Sequence, residues 1–165
     1  MPGYWLAMNA TNSRAVLKGA PTVEPVFQLP ATWITDVERK NAEVNGFTVV
    51  DAGMNDLVRP AMYDAHHDIL PVTEARGDAI ATEVVGPVCE SSDRFSQGAE
   101  LPPLKEGELI AFMTAGAYGA SMSSTYNMRP LVPEVLVNGG HYAIVRRRPT
   151  FDEMLALEQA PDWLA

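Results

Sequence analysis

Hydrophobic and polar residues follow one another in short runs along the chain, and this pattern predicts a fold made mainly of β-strands. Six stretches rich in β-branched or aromatic residues are expected to be strands: 47–51, 69–72, 80–88, 109–114, 134–137 and 141–147. Thirteen prolines and twelve glycines punctuate the chain, which is typical of a β-rich domain rather than a helical bundle. The turn-forming sequence Asn138-Gly139-Gly140 lies between the last two stretches and predicts a tight hairpin.

Helix is expected in two places. Thr150 is a suitable N-cap for a short C-terminal helix over 151–158, because acidic residues follow it in the first turn. The segment from Asn55 to Tyr63 could form a helical turn, which Pro60 is expected to limit. Prolines divide the first 45 residues into pieces too short for an independent core, so this part is interpreted as an appendage.

Composition narrows the classes of function. The 165 residues are 47% hydrophobic, enough for one buried core. A net charge of -9 disfavours nucleic acid and anionic membrane surfaces as partners, and the basic run 146–148 is interpreted as a solvated strand end. No apolar run approaches the roughly 18 residues of a membrane span. Cys89 is the single cysteine and cannot form an intrachain disulfide, so a cytoplasmic location is expected.

Two polar clusters are candidates for chemistry. His66 and His67 lie among acidic residues and suggest a metal site, but adjacent side chains on a strand point to opposite faces. An ordinary histidine pair is therefore favoured. Cys89 and Glu90 begin a polar loop after an apolar strand, where a scaffold can present a thiol and a carboxylate. A lone cysteine is more often a packing residue, and both interpretations stay open at this point.

Two further candidates involve a tyrosine. Tyr118 lies among small residues in 116–120, interpreted as a strand end, where a ligand could approach the backbone closely. An ordinary half-buried tyrosine is the alternative. Arg59 and Tyr63 share a face if their segment is helical, and the arginine could bind a substrate carboxylate or form a structural salt bridge.

Taken together, these motifs resemble the C-terminal domain of diaminopimelate decarboxylases, within the fold-type III pyridoxal-phosphate-dependent decarboxylases. The phrases that carry the resemblance are VVDAGMNDLVRPAMYDAHHDI, VVGPVCESSD, GELIAFMTAGAYGASMSSTYNMRP, PEVLVNG and the tail PDWLA. Their joint occurrence in this order is highly specific, and the resemblance covers about residues 32–165.

The resemblance implies a β-sandwich or Greek-key barrel-like domain packed beside a TIM-like barrel, with active sites at a homodimer interface. It implies the conversion of meso-diaminopimelate to L-lysine and carbon dioxide with pyridoxal 5'-phosphate. Cys89 would be the proton donor, reaching across from the partner subunit. Arg59 and Tyr63 would bind the substrate, Glu90 would hold its distal amino group, and Tyr118 would contact both cofactor phosphate and substrate.

The first part of the chain departs from the family pattern. Residues 6–18 resemble the stretch that carries the cofactor-binding lysine, but Asn9 stands at the lysine position. Phe27 likewise stands where the family has an arginine for the substrate carboxylate. Residues 1–31 are therefore interpreted as a degenerate remnant of the cofactor-binding barrel and 32–165 as the β-domain.

Two functions follow from this combination. The chain would act as a decarboxylase only with a barrel supplied elsewhere, or it would be a non-catalytic protein that pairs with a full-length decarboxylase. A third, weaker hypothesis is a small module that binds phosphate or an amino acid near Tyr118.

Overall fold

The computed structural model describes residues 5–6, 33–38, 46–74, 76–138 and 140–164. It confirms a mainly β fold with short helices. The strands are β1 Trp5–Leu6, β2 Trp33–Glu38, β3 Phe47–Val50, β4 Ile69–Pro71, β5 Ile80–Val85, β6 Arg94–Leu101, β7 Leu109–Phe112, β8 Glu134–Asn138 and β9 His141–Arg146. The α-helices are α1 Arg59–Tyr63, α2 Gly116–Met122 and α3 Phe151–Leu155, and 3-10 turns cover Tyr126–Met128 and Asp162–Leu164.

The described strands form two sheets. One has the order β4-β7-β2-β3-β5-β6, and the other has the order β1-β8-β9. Neighbours are antiparallel except β3 and β5, which are parallel. Because β2 is antiparallel to both β3 and β7, the strands β3, β5 and β7 run in the same direction. Their carboxyl ends therefore lie at one edge of the larger sheet.

The core lies on the larger sheet and explains its hydrophobic pattern. Val50, Val84, Ile110 and Phe112 are fully buried, and the Phe112 ring lies 4.7 Å from the Phe95 ring at a tilt of 52°. Such tilted aromatic contacts stabilise a core beyond the burial of their area. Because β3, β5 and β7 all contribute to this core, their carboxyl ends have fixed positions, from which the following segments begin.

Most predicted strands are confirmed, and the differences have local causes. β5 ends at Val85, three residues early, at a Gly-Pro pair that ends the pairing. β7 ends at Phe112, and Thr114 beyond it has a left-handed φ of 54° that is incompatible with a continued strand. β6 was missed because its sequence RFSQGAEL is mostly polar and small. The interpretation of 116–120 as a strand end is wrong, since these residues belong to α2.

The helices also differ from expectation in detail. Pro60 lies in the first turn of α1 and begins the helix rather than limiting it, because proline is tolerated where no intrahelical N–H bond is needed. Thr150 is the N-cap of α3, as its sequence predicts, and it also forms a capping box with Glu153. The helix ends at Leu155, three residues before the predicted end. The hairpin is confirmed, with Asn138 opposite His141.

The basic run 146–148 is only partly solvated. Arg147 is exposed and pairs with Glu153. Arg146 bonds to Glu134 at 2.6 Å, and burial lowers the pKa of Arg148, which lies near two acidic residues. Among the described residues, no helix has the length and apolarity needed to cross a membrane.

Candidate functional site

The five residues that the family resemblance singles out are distributed over three segments that leave the same edge of the larger sheet. Arg59 and Tyr63 lie on α1, after β3. Cys89 and Glu90 lie in the loop after β5, and Tyr118 lies on α2, after β7. Because these three strands end at one edge, residues up to 59 positions apart in sequence come to the same side of the molecule.

Arg59 and Tyr118 are in direct contact across two of these segments. The Arg59 guanidinium carbon lies 5.4 Å from the centroid of the Tyr118 ring, within the range of a cation–π interaction. The Tyr118 side chain is 57% exposed and Tyr63, one helical turn after Arg59, is 61% exposed, so both can meet a ligand or another chain.

Asp93 fixes the loop that carries Cys89 and Glu90. Its buried carboxylate accepts hydrogen bonds from the backbone N–H groups of Val88 and Met54, each at 2.6 Å. Val88 precedes Cys89, and Met54 lies in the segment that leads to α1, so one side chain joins two of the three segments. Burial raises the pKa of Asp93 although both backbone bonds favour the ionised form.

The absence of a side chain at Gly86 leaves the space that the Asp93 carboxylate occupies. A Cβ atom placed on Gly86 would lie 2.4 Å from one Asp93 oxygen and 2.5 Å from the Ala52 carbonyl oxygen. The Gly86 N–H donates to the Asp93 backbone carbonyl at 2.9 Å. Glycine is therefore required here for the close approach of three backbone segments.

Glu90 is exposed, and both of its carboxylate oxygens accept hydrogen bonds. The Tyr126 hydroxyl donates to one oxygen at 2.6 Å, and the Ser92 hydroxyl donates to the other at 2.7 Å. These two bonds lower the pKa of Glu90, that from Tyr126 having the larger effect. The neighbouring Cys89 is exposed as a free thiol.

Asp56 and Arg129 form a polar cluster that joins the segments on which the candidate residues lie. Asp56 is 3% exposed and accepts from the Gly53 N–H at 3.0 Å. Burial is the largest cause that raises the pKa of Asp56 to about 6, and the nearby Arg129 opposes that rise. Arg129 also donates to the Asp51 carbonyl, which ties the segment after α2 to the segment after β3.

The two histidines lie in different environments, as expected for adjacent positions. His66 is exposed and bonds to Asp68 at 3.1 Å, whereas His67 is buried and its Nδ1 lies 3.0 Å from the Met113 carbonyl oxygen. Within the described ranges, no three His, Cys, Asp or Glu residues are grouped so that they could hold a metal ion.

Sequence reasoning missed several residues that organise the site. Asp93 lies three positions after Glu90, but an acidic residue in a polar loop does not by itself indicate burial. Tyr126 and Arg129 lie on the segment after α2, and their partners are 36 and 78 positions away. Such long-range pairs have no local signal in a single sequence.

Three residues of the first part lie outside the described residues. They are Asn9, at the position of the cofactor-binding lysine, Lys18, at the end of the stretch 6–18, and Phe27, at the position of the arginine for the substrate carboxylate. The described part contains all five candidates that the resemblance places on the β-domain.

The chain is similar to known proteins over most of its length. Residues 30–116 match the family model for the C-terminal sheet domain of pyridoxal-dependent decarboxylases. The diaminopimelate decarboxylase of Streptomyces coelicolor is 50% identical over 129 residues, and that of Zymomonas mobilis is 44% identical over 125 residues. These matches cover 71% and 76% of this chain, but only 29% and 30% of the respective relatives.

A solved structure shows the same fold. Diaminopimelate decarboxylase from M. jannaschii in co-complex with L-lysine superposes with a TM-score of 0.75 at 33% identity, over 81% of this chain and 31% of that one. The chain thus spans about 30% of the length of the curated relatives it matches. By its sequence and its fold, the chain belongs to the family of pyridoxal-dependent decarboxylases, whose C-terminal sheet domain it carries.

Proposed function

We propose that this chain supplies the substrate-facing part of a diaminopimelate decarboxylase active site, which converts meso-diaminopimelate to L-lysine and carbon dioxide. The observation that carries the proposal is the common edge of β3, β5 and β7. That edge gathers an arginine, two tyrosines, a thiol and a carboxylate from three separate segments. Catalysis would require a cofactor-bearing barrel in addition to these residues.

The charges suit a diamino acid in an active site shared by two subunits, where the Cys89-Glu90 loop of one subunit would meet Arg59 of the other. Glu90 is exposed and its hydrogen bonds favour the ionised carboxylate, which is the form that binds an ammonium group. Arg59 offers a guanidinium whose fork geometry matches a substrate carboxylate. The relative from M. jannaschii is in complex with L-lysine, a molecule that carries both groups.

Cys89 is the proposed proton donor. Loss of carbon dioxide breaks the bond between the α-carbon and the carboxylate and leaves an electron pair on that carbon. A thiol can transfer its proton to this position and become a thiolate, which then recovers a proton from solvent. Cys89 is exposed, and the hydrogen bond from the Val88 N–H to Asp93 fixes the start of its loop, which supports this role.

The described residues fit only part of a pyridoxal-phosphate site. When bound, this cofactor withdraws the electron pair that decarboxylation leaves on the α-carbon. Tyr118, whose side chain is exposed, is the described residue that would contact its phosphate. Because Asn9 stands where the family has its lysine, the amine that anchors the cofactor is proposed to come from a barrel outside this sequence.

An exposed apolar surface supports association with another chain. Tyr142, Ile144 and Val145 on β9 are each more than half exposed, and β9 lies at an edge of the three-stranded sheet. Several exposed apolar side chains on one outer strand are typical of a surface that a partner covers. A homodimer or a barrel-bearing decarboxylase is the proposed partner, in the cytoplasm.

Two other functions are considered as alternatives to the supply of active-site residues. A non-catalytic role, in which the chain pairs with a full-length decarboxylase, is favoured by Asn9. A module that binds phosphate or an amino acid near Tyr118 would require no partner.

The decisive test is reconstitution with a full-length diaminopimelate decarboxylase whose own proton-donor cysteine has been replaced by alanine. The mixture should release carbon dioxide from meso-diaminopimelate, and the Cys89→Ala chain should not restore release. A complex without activity would favour the non-catalytic role. Binding of lysine or phosphate to the isolated chain, without any complex, would favour the small binding module.

A further inference from the structure

We propose that Tyr126, together with Ser92, orients the Glu90 carboxylate for the distal ammonium group of the substrate. This inference rests on the proposed function for the identity of the ligand, but the contact itself stands on the geometry of this chain. Tyr126 is a positioning residue in this scheme, since it acts on the substrate through Glu90.

The hydroxyl groups of Tyr126 and Ser92 hold both oxygens of the Glu90 carboxylate. Tyr126 donates to one Glu90 oxygen at 2.6 Å, and Ser92 donates to the other at 2.7 Å. A glutamate side chain on an exposed loop otherwise samples several rotamers, and ordering it on ligand binding costs conformational entropy. With both oxygens held, each still has an acceptor site for an ammonium N–H, so the group is arranged for a ligand before the ligand arrives.

The backbone around Tyr126 shows that its position is imposed by the fold. Asn127 and Met128 both have left-handed conformations, with φ of 60° and 57°. This conformation is uncommon for residues other than glycine, and a methionine there is strained. Strain of this kind persists only where surrounding contacts impose it, and it is concentrated at functional sites.

Those surrounding contacts are present on both sides of the turn. Before it, the Ser124 N–H donates to the Asn55 carbonyl at 2.8 Å, and the Tyr126 N–H donates to the Ser124 hydroxyl at 3.3 Å. After it, Arg129 donates to the Asp51 carbonyl and lies 3.9 Å from the buried Asp56 carboxylate. The turn is therefore fixed to the segment between β3 and α1, and Tyr126 reaches from that base to the Cys89-Glu90 loop.

The first test uses the full chain alone and does not depend on the proposed function. Carboxyl ¹³C NMR of the glutamate side chains follows the titration of Glu90, assigned with Glu90→Gln. The titration midpoint of Glu90 should rise in Tyr126→Phe and in Ser92→Ala, because each variant removes a donor to the ionised form. Tyr142→Phe is the matched control, since it removes a hydroxyl from an exposed tyrosine on β9.

The charge of Glu90 contributes to the raised pKa of Asp93, so the Asp93 signal must be followed in the same spectra. An unchanged Glu90 midpoint in both Tyr126→Phe and Ser92→Ala would overturn the proposal. An equal rise in Tyr142→Phe would also overturn it.

The second test uses the reconstituted decarboxylase. Tyr126→Phe should raise KM for meso-diaminopimelate by about three- to tenfold, the effect of one hydrogen bond, with little change in kcat. A fall in kcat at unchanged KM would overturn the role in substrate orientation. If the wild-type chain restores no activity, the proposed function fails, and the NMR titration alone decides whether Tyr126 holds Glu90.

Discussion

Replacement of Asp93 by alanine should loosen the join between the Cys89-Glu90 loop and the segment that leads to Arg59. The carboxylate accepts two backbone hydrogen bonds of 2.6 Å, from Val88 and Met54, and its side chain is buried. Loss of the acceptor costs about 1 to 3 kcal/mol for a buried N–H such as that of Val88, and somewhat less for the part-buried N–H of Met54. Removing a carboxylate whose burial raises its pKa recovers part of that cost, so the expected net loss is about 2 to 4 kcal/mol.

Urea unfolding of the full chain at neutral pH, followed by circular dichroism, measures this loss. Asp93→Asn should lie between wild type and alanine, because the amide keeps one carbonyl acceptor but turns an NH₂ group toward a backbone donor. Asp78→Ala, at an exposed position, is the matched control and should stay within about 0.5 kcal/mol of wild type. A loss below about 1 kcal/mol for Asp93→Ala would refute the reasoning that this side chain joins the two segments.

Three further predictions concern the support of the site and the cofactor. Gly86→Ala should destabilise the chain by more than about 2 kcal/mol in urea unfolding, because the added Cβ would overlap Asp93 and the Ala52 carbonyl. Gly98→Ala is the control, since a Cβ there meets open space. Equal losses of stability in the two variants would contradict the clash at Gly86. The pKa of Asp56 in the folded chain, about 6, lies above its ordinary value of 3.8, so the contribution of this group to stability falls as pH rises through that window. Wild type should therefore lose about 2 to 3 kcal/mol relative to Asp56→Asn between pH 4 and pH 7.5, and parallel pH curves would contradict the raised pKa. Titration of the chain alone with pyridoxal phosphate, followed by borohydride reduction and peptide mapping, should give no stoichiometric lysine adduct, and an adduct at Lys18 would show that the anchoring amine is present after all.

The sequence predicts the strands well where packing and local pattern agree. The run FTVVD becomes β3 with alternating burial, and Thr150 is the N-cap of α3, as expected. The hydrophobic pattern does not predict β6, because the residues between the buried Phe95 and Leu101 are mostly polar or small, and its pairing with β5 determines its conformation. Tertiary context likewise makes 116–122 a helix despite two glycines.

In the candidate site, too, some features follow from local sequence and others depend on contacts between distant residues. The placement of Cys89 on a polar loop and of Arg59 on a helix follows from local sequence. The hydrogen bonds of Asp93 to Met54 and of Tyr126 to Glu90 join positions more than 30 residues apart, and a single sequence does not encode them in any local pattern. The roles of these residues in catalysis stay predictions.

The most direct test of the central claim is the reactivity of Cys89, which is the single cysteine of the chain and is exposed in it. Iodoacetamide labelling, followed by intact mass, reports on this thiol alone. We expect rapid labelling of the isolated chain, and strong protection when the cysteine-replaced decarboxylase and L-lysine are both present, because Cys89 then faces an occupied active site. An equal labelling rate with and without the partner and L-lysine would contradict the placement of Cys89 in a shared catalytic site.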